Sequence, residues 1–251
     1  MRRLEGRTAI VTGSGQGIGE AIAMAMAEEG ACVVVAELRE DTAAAVRRKI
    51  EEAGGIALAH ATDVSREDSV DAMVKACLDR FGKVDILVNN AGIYPTSTVE
   101  DMAEEEWERV IGTNLFGTFL CSRAVTPYML RQRRRRGRII SITSGRGLQG
   151  ADNGAHYAAS KGGIIGFTKS LALELAPAGI AVNCICPGVS DTAQPRGHRT
   201  EEELYASAAR IPLGRIGQPR DMAKAAVFLA SDRGRFVTGQ TVVVNGGAIM
   251  Q

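Results

Sequence analysis

Short apolar runs rich in β-branched residues alternate along the chain with longer stretches of helical period. The runs Thr8–Thr12, Cys32–Glu37, Ile56–Thr62, Ile86–Asn89, Arg138–Thr143, Ala181–Cys186 and Thr241–Val244 predict strands. Between them, Gly17–Glu29, Thr42–Ala53, Glu67–Phe81, Glu105–Arg131, His156–Ala176 and Arg220–Leu229 predict helices. Several strands, such as the one holding Val33-Val34-Val35, are apolar without alternation, so both of their faces need cover. Strand–helix–strand order with right-handed crossovers then gives an α/β fold. The expectation is a doubly wound Rossmann-type domain, its seven-stranded, mostly parallel sheet flanked by helices on both faces. Its ligand cleft lies beyond the carboxyl ends of the strands.

No linker-like shift in composition and no repeat divides residues 1–251, which predicts a single domain. Only Gly188–Gly217 breaks the pattern with Pro, Gly, Thr and charge. That stretch is too long for a plain connection and predicts a substrate flap with a short helix near Glu201–Arg210.

Composition narrows the function classes. A net charge of +1 removes any chain-wide electrostatic case for binding nucleic acid or membrane. No apolar run reaches the ~18 residues of a spanning helix, and the start lacks the apolar stretch of a signal peptide. The 5 cysteines are odd in number and sit mostly in apolar stretches, as buried thiols of a reducing compartment do, so the cytoplasm is expected. Cys184 and Cys186 share a strand face, but no His or second Cys pair stands at zinc spacing, so no metal is expected. The arginine-rich run from Arg131 to Arg138 joins a helix end to a strand start, which reads as a solvated loop opposite the ligand cleft.

After the first strand come Gly13, Ser14, Gly15, Gln16, Gly17, Ile18 and Gly19, and then a helix. Glycines there let backbone N–H groups approach a pyrophosphate at a helix N-terminus, where the dipole favours anions. Glu37, at the carboxyl end of the second strand, suits an adenosine ribose and would repel a 2′-phosphate. NAD(H) is therefore the expected cofactor, in preference to NADP(H).

Tyr157 and Lys161 stand four apart at the start of a helix and so share one face. A free phenol titrates near ~10 and an adjacent ammonium favours its ionised form, which predicts a Tyr tuned for general acid–base work. Ser144 lies just past the strand Arg138–Thr143, where its hydroxyl can hold a substrate oxygen or cap a turn. Asn114 interrupts a helical pattern, either to hold a water or to face solvent. His156, next to Tyr157, either modulates the site or starts the helix, the second being favoured, and Trp107 reads as an anchor in the core or an interface.

Taken together, these residues resemble the short-chain dehydrogenase/reductase family. The resemblance is carried by Thr12-Gly13-Ser14-Gly15-Gln16-Gly17-Ile18-Gly19, Asp63-Val64, Asn89-Asn90-Ala91-Gly92, Asn114, Ser144, Tyr157-Ala158-Ala159-Ser160-Lys161 and Pro187-Gly188, in order over almost the whole chain. It implies an enzyme that interconverts an alcohol and a carbonyl by hydride transfer. Tyr157 would exchange the proton, Ser144 hold the oxygen, Lys161 tune Tyr157 and bind the nicotinamide ribose, and Asn114 keep a relay water. Asp63 and Val64 would flank the adenine, and Asn90, Ala91 and Gly92 lie along the cofactor. Pro187, Gly188, Val189 and Thr192 would approach the carboxamide. It also implies a homotetramer or homodimer.

Ser141 and Asn245 depart from the family pattern without touching the reacting set. A 3-oxoacyl-[acyl-carrier-protein] reductase, which would favour NADPH, is the second reading, with Glu37 against it. A catalytically silent dinucleotide sensor or scaffold is the third. The pocket walls, Gly145, Arg146, Leu148, Gln149, Asp152, Asn153, Gln194, Arg196 and His198, suggest a polar substrate, hydroxylated or anionic.

Overall fold

Strands apolar on both faces need a layer of helices above and another below, and the chain supplies both. The computed structural model describes residues 2–132, 136–192 and 200–250. Within them β1 (Thr8–Thr12), β2 (Cys32–Glu37), β3 (Ile56–Ala61), β4 (Ile86–Asn89), β5 (Arg138–Ile142), β6 (Ala181–Pro187) and β7 (Thr241–Val244) form one sheet in the order β3-β2-β1-β4-β5-β6-β7. Every pairing among them is parallel.

The helices are α1 (Gly17–Glu28), α2 (Glu40–Glu52), α3 (Glu67–Phe81), α4 (Glu104–Ile111), α5 (Gly117–Arg131), α6 (Arg146–Gln149), α7 (Ala155–Leu175), α8 (Glu201–Ala209) and α9 (Pro219–Ala230). Successive strand residues point to opposite faces. In β1, Ala9 and Val11 join a core with Ile22 and Met26 of α1 and Met222 and Val227 of α9. Ile10 between them joins the other core, with Met73 of α3, Leu120 of α5 and Leu171 of α7. That alternation is the doubly wound architecture expressed residue by residue. The connections change direction between β1 and β4, and a fold of this kind takes its ligand at the carboxyl ends beside that switch.

Two sequence expectations change here. The single helix expected over Glu105–Arg131 is two helices joined by a π-helical turn, Gly112–Phe116. Gly117 follows the turn in close contact with Val64: a Cβ there would lie 2.8 Å from Cγ2 of Val64. The arginine run is not wholly solvated. Arg138 is buried at the start of β5 and its Nη1 donates to Gly137 O at 2.9 Å, while Arg7 and Arg136 pair with Asp232 at 3.0 and 3.5 Å; residues 133–135 lie outside the described residues. The short helix expected near Glu201–Arg210 is α8. It is held by a capping box in which Glu203 N donates to Thr200 Oγ1 at 3.2 Å and Thr200 N donates to the Glu203 carboxylate at 2.9 Å. Gln194, Arg196 and His198 of the expected pocket wall lie outside the described residues. No described helix is long and apolar enough to cross a membrane.

Candidate active site

The glycine turn is shaped by contacts that leave no room for a side chain. Gly13 and Gly17 both have φ +60°. A Cβ on Gly13 would lie 2.7 Å from Ala91 Cα, and one on Gly19 would lie 2.2 Å from Gly13 O. Thr12 and Asn90 lock the turn to β4. Thr12 Oγ1 accepts the N–H groups of Asn90 and Ala91 at 3.1 and 3.2 Å, and Asn90 Nδ2 donates to Thr12 O and Gly13 O at 3.0 and 2.8 Å. Asn90, expected along the cofactor, thus spends its amide on the turn itself. Gln16 gives α1 no side-chain cap, which leaves the N–H groups of the first helical turn for an anion. These features fit a dinucleotide pyrophosphate.

Around this cradle, Ser14 is buried and donates to Val11 O at 2.7 Å, and Ile18 packs against the α1 core. Glu37 accepts Gly15 N–H through Oε2 and Leu38 N–H through Oε1, both at 2.9 Å. Thr192 reaches the turn, since a Cβ on Gly17 would lie 3.3 Å from its Cγ2. Asp63 accepts from Ser65 N and Oγ at 3.0 and 2.6 Å, and Val64 is buried against Gly117. Gly188 N donates to Val244 O at 3.1 Å and Val189 O accepts Gly217 N–H at 2.8 Å, which fixes the start of the expected flap beside Pro187.

At the other side of the cleft, three separate segments meet. Ser144 follows β5, Tyr157 and Lys161 stand on α7, and Asn114 lies in the π turn. Tyr157, Lys161 and Asn114 are 8%, 4% and 0% exposed, so the polar groups here are nearly dry. The Ser144 hydroxyl faces the Tyr157 phenol, where it favours the ionised form, and accepts Arg146 N–H at 3.2 Å. Lys161 Nζ donates to Ile142 O and Thr143 Oγ1 donates to Lys161 O, both at 2.8 Å, clasping β5 to α7. Asn114 Oδ1 accepts Ile93 N–H at 2.9 Å, while its Nδ2 donates to Ile93 O at 3.0 Å and Ser160 Oγ at 3.1 Å. Gly92 fits between the two: a Cβ there would be 3.2 Å from Asn114 Oδ1 and 3.3 Å from Lys161 Nζ.

Without a cofactor, burial rather than charge pairing sets the acidities of Tyr157 and Lys161. It pushes the Tyr157 phenol up to about 12, with Tyr94 and Cys186 adding to the rise while the Ser144 hydrogen bond and the Arg146 charge oppose it. It pulls the Lys161 ammonium down to about 8. The expectation that Lys161 makes Tyr157 more acidic is therefore corrected for the chain without its cofactor. The ammonium is turned to Ile142 O and lies 5.6 Å from the Tyr157 ring centre. Tyr157 is a protonated donor at neutral pH.

Two features had no usable sequence signal. Tyr94 stacks on Tyr157 with ring centres 4.1 Å apart. His156 does more than start a helix. It is fully buried, its Nδ1 accepts Tyr157 N–H at 2.8 Å, and its Nε2 faces Glu106 Oε1 at 3.1 Å. Ser141 and Asn245 stay away from the reacting groups: Ser141 Oγ meets Asn89 Nδ2 at 3.3 Å, and Asn245 bridges Gly247 N and Ile249 O.

A family model described as enoyl-(acyl carrier protein) reductase matches residues 13–248. The chain belongs to the short-chain dehydrogenase/reductase family. It is an oxidoreductase acting on a CH–OH/ketone pair. It is 44% identical over 248 residues to the 3-oxoacyl-[acyl-carrier-protein] reductase FabG of Vibrio cholerae, covering 98% of this chain and 99% of that one. It is also 44% identical over 252 residues to the 3-oxoacyl-[acyl-carrier-protein] reductase of Synechocystis, covering 100% of both. Among solved structures, the crystal structure of gox2181 superposes with a TM-score of 0.93 at 38% identity, over 98% of this chain and 96% of that one.

These relatives overturn the preference for NAD(H) read from Glu37, because their class goes with NADPH. The structure supplies a physical reason. Both Glu37 oxygens are engaged by backbone N–H groups, one of Gly15 in the turn and one of Leu38, so this carboxylate does not decide the ribose side alone. Arg39 stands exposed two residues on, with Asp41 at 3.9 Å.

Proposed function

We propose that this dehydrogenase/reductase reduces the 3-keto group of an acyl thioester to the hydroxyl, with NADPH as reductant. The observation that carries the reading is the pair of hydroxyls, Ser144 and a Tyr157 held protonated by burial, joined at one point of the cleft in a chain alike end to end to 3-oxoacyl reductases. Bound NADPH supplies the hydride. The chain supplies the proton and the charge control. Both hydroxyls donate to the ketone oxygen, and as negative charge grows there the phenol proton moves to it, leaving a phenolate. That transfer is downhill, because an alcohol is a far weaker acid than a phenol even at about 12. Lys161, with an ammonium that titrates near 8, is still charged at neutral pH and, held on Ile142 O beside the cleft, would bind the nicotinamide ribose. Asn114 fixes the Ile93 backbone and so keeps Gly92 against Lys161.

The cradle residues Gly13–Gly19, with Glu37, Asp63, Val64, Ala91, Gly92 and Thr192, would hold the dinucleotide, and residues 188–217 would cover the substrate. The enzyme works in the cytoplasm as a homo-oligomer. Exposed Phe116, Phe119 and Leu130 on the π turn and α5, together with Leu173 on α7, give apolar surface for a second copy.

The test is steady-state turnover of acetoacetyl-CoA, and of the matching enoyl thioester, with each reduced dinucleotide. Reduction of the keto substrate at least about tenfold more efficient with NADPH than with NADH is expected, with no enoyl turnover. Equal or better efficiency with NADH, or turnover confined to the enoyl substrate, contradicts the reading. Tight NADPH binding without any turnover would leave a silent sensor instead.

A further inference from the structure

Beyond these residues, the segment that follows Gly92 also packs against the phenol. Tyr94 lies over Tyr157 with ring centres 4.1 Å apart and planes 28° from parallel. Gly154 makes room for it, since a Cβ there would fall 2.7 Å from Tyr94 Cε2. The same segment is tied to the catalytic helix further on. Ser97 N donates to Asn153 O at 3.0 Å, and Ser97 Oγ donates to Glu106 Oε1 at 2.5 Å. Glu106 Oε1 also accepts from His156 Nε2 at 3.1 Å, and His156 Nδ1 accepts the N–H of Tyr157 at 2.8 Å. That last bond leaves Nε2 as the protonated nitrogen. One strap therefore touches the reacting ring directly through Tyr94 and reaches its peptide N–H indirectly, from Ser97 through Glu106 and His156.

We propose that Tyr94 is a positioning residue for the reaction: its ring fixes the rotamer of Tyr157 and closes one face of the phenol to water, while the Ser97–Glu106–His156 chain holds the start of α7 in register. The inference rests on Tyr157 as the proton donor. Offset stacking of this kind restrains a ring without bonding to its hydroxyl, so the phenol stays available to substrate. The other groups that face the phenol are Ser144, Arg146, Cys186 and Lys161. Removing the Tyr94 ring leaves them in place but admits water, so the phenol ionises at lower pH. The alkaline limb of turnover, where the acid is lost, then moves to lower pH.

The experiment measures kcat, KM and the pH profile for Tyr94→Phe, Tyr94→Leu and Tyr94→Ala, with NADPH binding followed by fluorescence. Tyr94→Phe keeps the stack and should stay near wild type. Tyr94→Ala should lose about tenfold to a hundredfold in kcat, the scale of a small misplacement, with NADPH binding intact and the alkaline limb shifted down. Tyr94→Leu keeps apolar volume without a stack and should show the same kcat loss, so the proposal remains testable if the alanine variant does not fold. Wild-type kcat and an unmoved limb in Tyr94→Leu would overturn it, as would a Tyr94→Phe enzyme as impaired as Tyr94→Leu. Tyr157→Phe run beside them separates the two claims. Retained turnover there sinks the donor assignment, whereas an inactive Tyr157→Phe with a fully active Tyr94→Leu sinks only the positioning role.

Discussion

At the glycine turn the working surface is backbone, shaped by what cannot fit: a Cβ on Gly19 would lie 2.2 Å from Gly13 O. At the reacting end it is side chains, Asn114, Ser144, Tyr157 and Lys161, brought from three segments into a nearly dry pocket. The first region binds through N–H groups whose chemistry any sequence has, so its specificity lies in sterics. The second depends on proton affinities that burial sets, so its specificity lies in desolvation and contact. Damage to the first should therefore appear in cofactor binding and damage to the second in turnover.

Tyr157→Phe gives the sharpest separation. Loss of the donor should cost about a thousandfold in kcat while NADPH binding by fluorescence is unchanged. Gly19→Ala should do the reverse. Its methyl collides with backbone, so NADPH binding should weaken by more than about tenfold, or the fold should lose about 1–3 kcal/mol, with kcat at saturation falling far less. A kcat loss in Gly19→Ala as large as in Tyr157→Phe would erase the distinction between the regions. Asn114→Ala strips partners from the Ile93 backbone and Ser160 and should destabilise the fold by about 1–3 kcal/mol in denaturant titration.

The last effect is in pH. Lys161 titrates near 8 in the fold and near the ordinary 10.5 when unfolded. Between those values the unfolded chain holds the extra proton, so stability rises with pH there and is lost as pH falls towards 8. Lys161→Met should lack that slope in denaturant midpoints measured across the same window.

The sheet was legible in the sequence because strands such as β1, β2 and β4 are apolar throughout, and a run of that kind has few other uses. The cradle and Tyr157–Lys161 were legible because their spacing repeats a family pattern. The π turn was not, because inserting one residue into a helix barely alters apolar periodicity; only Gly112 and Gly117 bracketing Asn114 hinted at it. The Tyr94 stack and the His156–Glu106 contact join residues about fifty or more positions apart, which periodicity cannot report. Glu37 misled because its charge was legible but its two N–H partners were not.

The central claim is that burial holds Tyr157 in its protonated form, ready to give its proton to a substrate oxygen. Ultraviolet difference titration of the cofactor-free chain against Tyr157→Phe isolates the ionisation of that one phenol. The account predicts that it ionises clearly above the ordinary 10, near 12. Ionisation at or below 10 would contradict it.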